Sequence, residues 1–287
     1  MQTFPVGAKP RLILDVNSAL LEFTVHDSPT LKVEVGPARP GRNADLKAAE
    51  RVQVQADLDT ISITTPGLGF VGFGGVGTAR IQVLLPANCD VDAKTGNGTV
   101  SAAGALGRAR LRTSNGSIRV DAAQELRANT ANGTVTVGRV DGDAELSSSN
   151  GTIEVGSVLG NAALKTSNGD IRVDRVAGRT NAKTSAGSIL LGTCSNEAVL
   201  KTSAGGISIR RVEGGSIQAS TSVGEISADV APGVAVWVDA NSKSGAVIND
   251  LSATDGPASD RTAELRLSTS LGTIRLRRLP GEATAAA

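Results

Sequence analysis

Lys165-Thr166-Ser167-Asn168-Gly169-Asp170-Ile171-Arg172-Val173 decides the fold, because variants of it recur through much of the chain. Its glycine returns at Gly98, Gly116, Gly133, Gly151, Gly187, Gly205 and Gly224, in steps of 17 to 19 residues, with degenerate copies at Gly245 and Gly272. A period near 18 with β-forming residues at fixed offsets reads as a solenoid in which each repeat is one turn of the coil. The fold class predicted is all-β: a single-stranded β-solenoid (β-helix) of about ten turns with an 18-residue repeat and an irregular N-terminal β cap.

The offsets show how a turn is built. Two residues after the glycine stand Val100, Ile118, Val135, Ile153, Ile171, Ile189, Ile207, Ile226, Val247 and Ile274, all β-branched and apolar. Four after it stand Val120, Val137, Val155, Val173, Leu191 and Ile209. Arg119, Thr136, Glu154, Arg172 and Ser208 lie between the two columns, so apolar and polar positions alternate with the period of a strand. Five before the glycine come Leu111, Leu146, Leu164, Leu200 and Leu267, and three before it Thr113, Thr130, Thr166, Thr184, Thr202, Thr221 and Thr269. Each turn therefore carries one strand before the glycine and one after it. Parity with the leucines points the threonines inward.

The corners have a chemistry of their own. Asn97, Asn115, Asn132, Asn150 and Asn168 precede the glycine, and Asn-Gly is the dipeptide that supplies the positive φ angles of a tight bend. Stacked asparagines can also hydrogen-bond from turn to turn, a ladder that should stop from Ala186 onward. Gly107, Gly142, Gly160, Gly178 and Gly214 mark a second corner. With each strand pairing to its equivalent one turn away, about ten turns give a rod on the order of 50 Å long.

Charge is nearly balanced, 29 basic against 28 acidic residues, so no global field points to nucleic acid or a membrane surface. Glycine, at 34 residues, is too sparse and irregular for collagen. Cys89 and Cys194 make no disulfide framework, and Cys194 shares the offset of Val140, Val158, Val176 and Val212, which reads as a small core residue. Residues 1–24 show no basic head, continuous apolar run or small-residue cleavage pattern, and no stretch reaches the roughly 20 apolar residues of a bilayer span. A soluble, cytoplasmic chain is expected, with a surface location only if a leader is missing.

Along the chain, residues 1–90 are expected to form the irregular β cap, residues 91–279 the repeats and residues 280–287 a disordered tail. Within the cap, Val16-Asn17-Ser18-Ala19-Leu20 is a worn copy of the repeat and a candidate start of the coil, and residues 42–51 are a candidate short helix. Pro66-Gly67-Leu68-Gly69-Phe70-Val71-Gly72-Phe73-Gly74-Gly75-Val76-Gly77 lacks the strand-loop-helix context and the lysine of a phosphate-binding loop. Phe70 and Phe73 are therefore read as folding back on the cap or touching a partner. Near the far end, residues 249–263 insert a polar loop, after which Leu265, Leu267, Ile274 and Leu276 are expected to close the stack. Trp237 has the opposite parity to Val236 and Val238, so it is expected to point outward or to lie beneath the inserted loop, and is read as structural cover or as a binding anchor.

Catalytic constellations do not assemble. His26 is the only histidine and has no sequence-local carboxylate or cysteine partner. No metal-ligand spacing occurs, and serines and threonines fall in columns, unlike a unique nucleophile. With no tyrosine and one tryptophan, sugar-stacking platforms are nearly lacking. No catalytic, cofactor or metal site is assigned. Lys165, Lys183 and Lys201 occupy one outward column in successive turns, either a solvated face that resists lateral aggregation or a row that binds a polyanion in register. The candidate partner contacts are thus Phe70, Phe73, Trp237, Lys165, Lys183 and Lys201.

The repeats Thr-Ser-Asn-Gly-x-Ile-x-Val and Thr-Ser-Ala-Gly-x-Ile, with the opening Ile13-Leu14-Asp15-Val16 and Leu21-Glu22-Phe23, resemble the bacterial putative-adhesin family, β-strand-repeat domains of unknown function. The likeness covers residues 10–280, and it implies a surface or adhesive role without catalytic residues to carry over. Bactofilin-like polymers share short apolar β-helical turns. Three function classes follow: a non-enzymatic scaffold or interaction module for a protein partner or surface, a self-assembling bactofilin-like polymer, and a solenoid enzyme acting on polysaccharide. The first predicts a monomer or small homo-oligomer.

Overall fold

The computed structural model describes all residues except 8, 58, 67–76, 252–260 and 281–287. The chain forms two compact units, Met1–Asn150 and Gly151–Ala287. The first contains β1 (Gln2–Pro5), β2 (Arg11–His26), β3 (Thr30–Pro37), α1 (Asn43–Glu50), β4 (Gln53–Asp57) and β5 (Thr60–Thr64). It continues with β6 (Ala79–Pro86), β7 (Asp90–Asn97), β8 (Val100–Asn115), β9 (Ile118–Asn132), β10 (Val135–Val140) and β11 (Ala144–Asn150). The second contains β12 (Ile153–Val158), β13 (Ala162–Lys165), β14 (Ile171–Val176), β15 (Thr180–Lys183), β16 (Ile189–Cys194) and β17 (Ala198–Ala204). It ends with β18 (Ile207–Val212), β19 (Gly215–Val223), β20 (Ile226–Val230), β21 (Ala235–Ser244), β22 (Val247–Asp250), β23 (Thr262–Leu271) and β24 (Ile274–Arg278).

The repeat columns are parallel ladders. In the second unit Ile153, Ile171, Ile189, Ile207 and Ile226 stand opposite one another in successive strands, and so do Lys165, Lys183 and Lys201. Parallel pairing of equivalent residues one turn apart makes the fold a β-solenoid. The alternation seen in the sequence is the alternation of burial: Ile171 and Val173 are buried, and Arg172 is exposed.

The corner glycine is fixed by two constraints. Gly187 has φ +146°, and a Cβ there would lie 2.1 Å from the carbonyl oxygen of Gly169, the same corner one turn earlier. Any side chain would drive the turns apart. The preceding asparagines do not share the positive φ, contrary to the Asn-Gly bend expected; Asn88 is the one non-glycine with it among the described residues. Their contribution is the amide ladder. In the first unit Asn115 Nδ2 donates to Asn97 Oδ1, Asn132 to Asn115 and Asn150 to Asn132, each at 2.9 Å.

The threonines do face the interior, and each needs a partner there. Each hydroxyl donates to the carbonyl of the corner glycine one turn away: Thr113 to Gly98, Thr130 to Gly116, Thr166 to Gly151, Thr184 to Gly169, Thr202 to Gly187 and Thr221 to Gly205, at 2.9–3.1 Å. Ser148 replaces threonine without breaking the series, donating to Gly133 at 3.0 Å.

Layer order departs from chain order in both units. In the first, β2 is a full turn of the coil, its first half between β5 and β7 and its second half between β6 and β8. Val16 stands opposite Thr95 and Ser18 opposite Asn97, so the worn repeat at residues 16–20 is in register with the regular ones. Antiparallel β4 covers β5, antiparallel β3 covers β6, and β1 covers β3. The short helix α1 is held by Asp45, which is buried and accepts the Thr78 N–H at 2.9 Å, with the Arg42 guanidinium 3.6 Å away.

In the second unit β23 pairs with β19 on one side and β21 on the other, and β24 lies between β20 and β22. Leu265, Leu267, Ile274 and Leu276 therefore do not close the stack, as their place in the sequence suggested. The turn formed by β21 and β22 does. The reason is apolar content: Leu265, Ile274 and Leu276 are fully buried with neighbours on both sides, whereas the equivalent column of the closing turn is Val238, Val247 and Asn249. The link at 231–234 skips one layer, and Arg278 Nη1 clamps it by donating to the carbonyls of Ala231 at 3.3 Å and Val234 at 3.1 Å.

Both thiols belong to the core. Cys194 stands in register between Val176 and Val212. Burial raises its pKa to about 11, and burial with the nearby Asp90 charge raises that of Cys89 to about 12.

Two outcomes test this account. Ile171→Asp should lower stability by about 3 kcal/mol or more, through lost apolar burial and a desolvated carboxylate. Arg172→Gln, next to it but exposed and in surface ion pairs with Glu154 and Asp170, should cost about 1 kcal/mol at most. Equal losses in thermal melts would refute the inward and outward assignment. For the thiols, Ellman's reagent at pH 8 should titrate neither cysteine in the folded protein and both after denaturation. A raised folded-state pKa means the folded chain holds these protons more tightly, so stability should fall as pH climbs from about 9 toward 11–12. Cys194→Val, which copies its column neighbours, should remove part of that alkaline loss.

Candidate interaction face

The outward sheet of the second unit is built from β13, β15, β17, β19, β23 and β21 in that spatial order. Register alone determines what it presents. One column reads Lys165, Lys183, Lys201, Ser220, Ser268 and Asn241. The three lysines are exposed, successive backbones lie about 4.8 Å apart, and none of the three forms an ion pair among the described residues. Such a row repels itself mildly and attracts anions.

The outward column four residues earlier along each strand is different. There Arg179 Nη2 meets Glu197 at 2.7 Å, and further along Ser216 Oγ and Arg266 Nη2 both reach Glu264, at 3.2 and 2.6 Å. Arg266 also lies 6.0 Å from the ring centroid of Trp237, which is 56% exposed. Trp237 therefore points outward and carries a guanidinium against its face. Sequence parity allowed this direction or a place beneath the inserted loop, and the contact needs β21 beside β23, which chain order conceals.

Of the candidate contacts, the structure brings Lys165, Lys183 and Lys201 into one column and places Trp237 on the same sheet, at the margin of its last strand. Phe70 and Phe73 lie outside the described residues. His26 Nδ1 accepts the Ser28 N–H at 3.0 Å, a local turn contact. Among the described residues no group of three or more His, Cys, Asp or Glu could hold a metal ion. No described helix is long and apolar enough to cross a membrane.

Solved structures similar to the chain at low identity include three with adhesin descriptions. A putative adhesin from Bacteroides fragilis is 14% identical, with 96% of this chain and 95% of that chain covered and a TM-score of 0.39. A putative adhesin from Parabacteroides distasonis is 14% identical, with coverages of 96% and 95% and a TM-score of 0.24. A putative cell adhesion protein from Clostridium sporogenes is 12% identical, with coverages of 97% and 98% and a TM-score of 0.20. No curated protein matches the chain. The profile of the Toastrack DUF4097 family matches residues 10–193. That span is well over half of the 287 residues, and the chain belongs to the Toastrack DUF4097 family.

Proposed function

We propose that this protein is a non-enzymatic β-solenoid interaction module that holds an anionic partner along the outward sheet of its second unit. One observation carries the reading. Lys165, Lys183 and Lys201 form an in-register row without ion pairs among the described residues, in a chain that elsewhere sets opposite charges against each other across turns, as at Glu154 and Arg172 (3.2 Å). Inward positions are committed to the stack, so the outward columns are what the chain has to offer a partner. A second reading, a self-assembling polymer, is favoured by the β21–β22 turn, which has no ladder neighbour on its outer side among the described residues.

The test is the triple variant Lys165→Glu, Lys183→Glu, Lys201→Glu. These residues are exposed, so each change should cost no more than about 0.5 kcal/mol of stability. Retention on a polyanion column should fall sharply, because three contacts that release counterions are reversed in sign. Capture of binding partners from extracts of the source cell should fall with it. Arg275→Glu, an exposed reversal outside this column, should change both far less. A triple variant that binds like the parent would end the proposal, and electron microscopy of the purified chain separates discrete particles from polymer.

A further inference from the structure

The second unit ends on a bare parallel edge. Among the described residues β21 has β23 as its one ladder partner and β22 has β24. In the first unit the corresponding outer strands are not bare: β6 is paired by antiparallel β3 and β5 by antiparallel β4. The inward column of the bare turn is also incompletely covered. Val236 and Val238 are half-buried and Val247 is 44% exposed, while Leu265 and Ile274 in the layer beneath are fully buried. Unpaired backbone groups beside exposed valines form an incomplete interface.

The outward residues of β21 indicate what completes it. Asp239 and Lys243 are both exposed, form no ion pair among the described residues, and lie two residues to either side of Asn241. An antiparallel copy of the same strand, centred on Asn241, would set each Asp239 opposite the Lys243 of the other copy. The backbone phase permits this register. Ala235 N–H donates to Arg261 O and the ladder runs unbroken to Ser242, so from Ala235 to Ser242 the odd residues turn their amides toward β23 and the even ones toward the open edge. The ladder skips Lys243 and resumes at Ser244, whose carbonyl accepts the Gly272 N–H. Ala240 of one copy would then exchange hydrogen bonds with Ser242 of the other. Asp239 and Lys243 would occupy the intervening pairs, where cross-strand side chains approach most closely. Shifting the centre to Asp239 would oppose two carboxylates.

We propose that this edge binds a second copy of the chain, β21 against β21, about a two-fold axis through Asn241. The loop that leads from β22 to β23 does not suit the position. Residues 252–260, Ser-Ala-Thr-Asp-Gly-Pro-Ala-Ser-Asp, contain no run of strand-forming residues. Just after β24, Leu279 lies on the other side, its N–H donating to Val230 O at the end of β20. The pairing is isologous and occupies the β21 edge of both copies, so no further copy can add at β21 and this contact closes at a dimer.

Sedimentation velocity on the full chain should show a concentration-dependent monomer–dimer equilibrium. Asp239→Lys and Lys243→Asp singly should each weaken it more than about tenfold by opposing like charges. The double swap Asp239→Lys with Lys243→Asp should restore it. Asn241→Cys should form a disulfide-linked dimer under mild oxidation, because the native thiols of Cys89 and Cys194 are buried. Overturning results are a parent that stays monomeric, a parent that forms filaments, single reversals that dimerise normally, a double swap that does not recover, or Asn241→Cys that fails to cross-link.

Discussion

Each turn is registered on the one before it through the corner glycine carbonyl. That oxygen lies where the next glycine's Cβ would be, 2.1 Å away at Gly187, and it also accepts the buried hydroxyl of the next turn's threonine. The glycine column is thus required by contact as much as by its positive φ, and the threonine column by the need to satisfy a hydroxyl in a dry interior. Once these two positions are fixed, pleat parity assigns the rest. Ile171 and Val173 must face inward, and Arg172 must face out. A net worth of about 1 kcal/mol per hydroxyl, repeated each turn, fixes register as well as adding stability. A slip by one residue would strand every threonine in the column.

The architecture was legible in the sequence because a solenoid writes the same local rule many times. Columns such as Ile153, Ile171 and Ile189 need no tertiary inference, since residues 18 apart are neighbours by construction. Layer order at the chain ends was not legible, because it turns on non-local competition. Nothing in Leu265, Leu267, Ile274 and Leu276 read in isolation says they belong beneath residues 235–250, not above them. Comparison of the two columns does say so, as the four bulky side chains gain more from neighbours on both sides than Val238, Val247 and Asn249 do. The cation–π contact of Arg266 with Trp237 was hidden for the same reason. Of the two roles the sequence allowed asparagine, a bend and an amide ladder, the ladder forms and the positive φ of the corner falls on the glycine.

The same exchange of layers in both units has a mechanical consequence. The outermost turn of the first unit, β5 and β6, and that of the second, β21 and β22, are each continuous with chain at both ends. The first strand of the coil, β2, which follows the outer covering strand β1, and the last strand, β24, instead lie between two parallel neighbours. Fraying normally begins where chain ends and stack ends coincide. At β24 they do not coincide: peeling it away would require parting it from β20 and from β22 together. Arg278 strengthens the arrangement by bonding the carbonyls of the link that skips a layer.

Charge placement on the outer surface follows the same neighbour relation. Residues 17 or 18 apart face each other, and the chain sets arginine against glutamate at Arg108 and Glu125, Arg127 and Glu145, Glu154 and Arg172, and Arg179 and Glu197. Each such pair contributes little to stability at an exposed site, but like charges in those positions would carry a cost of similar size. The device for neutralising a column is therefore present in both units and is not applied at Lys165, Lys183 and Lys201. Repulsion about 4.8 Å apart in three successive turns is a small penalty, set against a stack whose register is held by glycine carbonyls. The stack can therefore carry an outward column chosen for something other than the fold. Because the interior tolerates so little variation, that freedom exists only on the outward columns and at the ends of the stack.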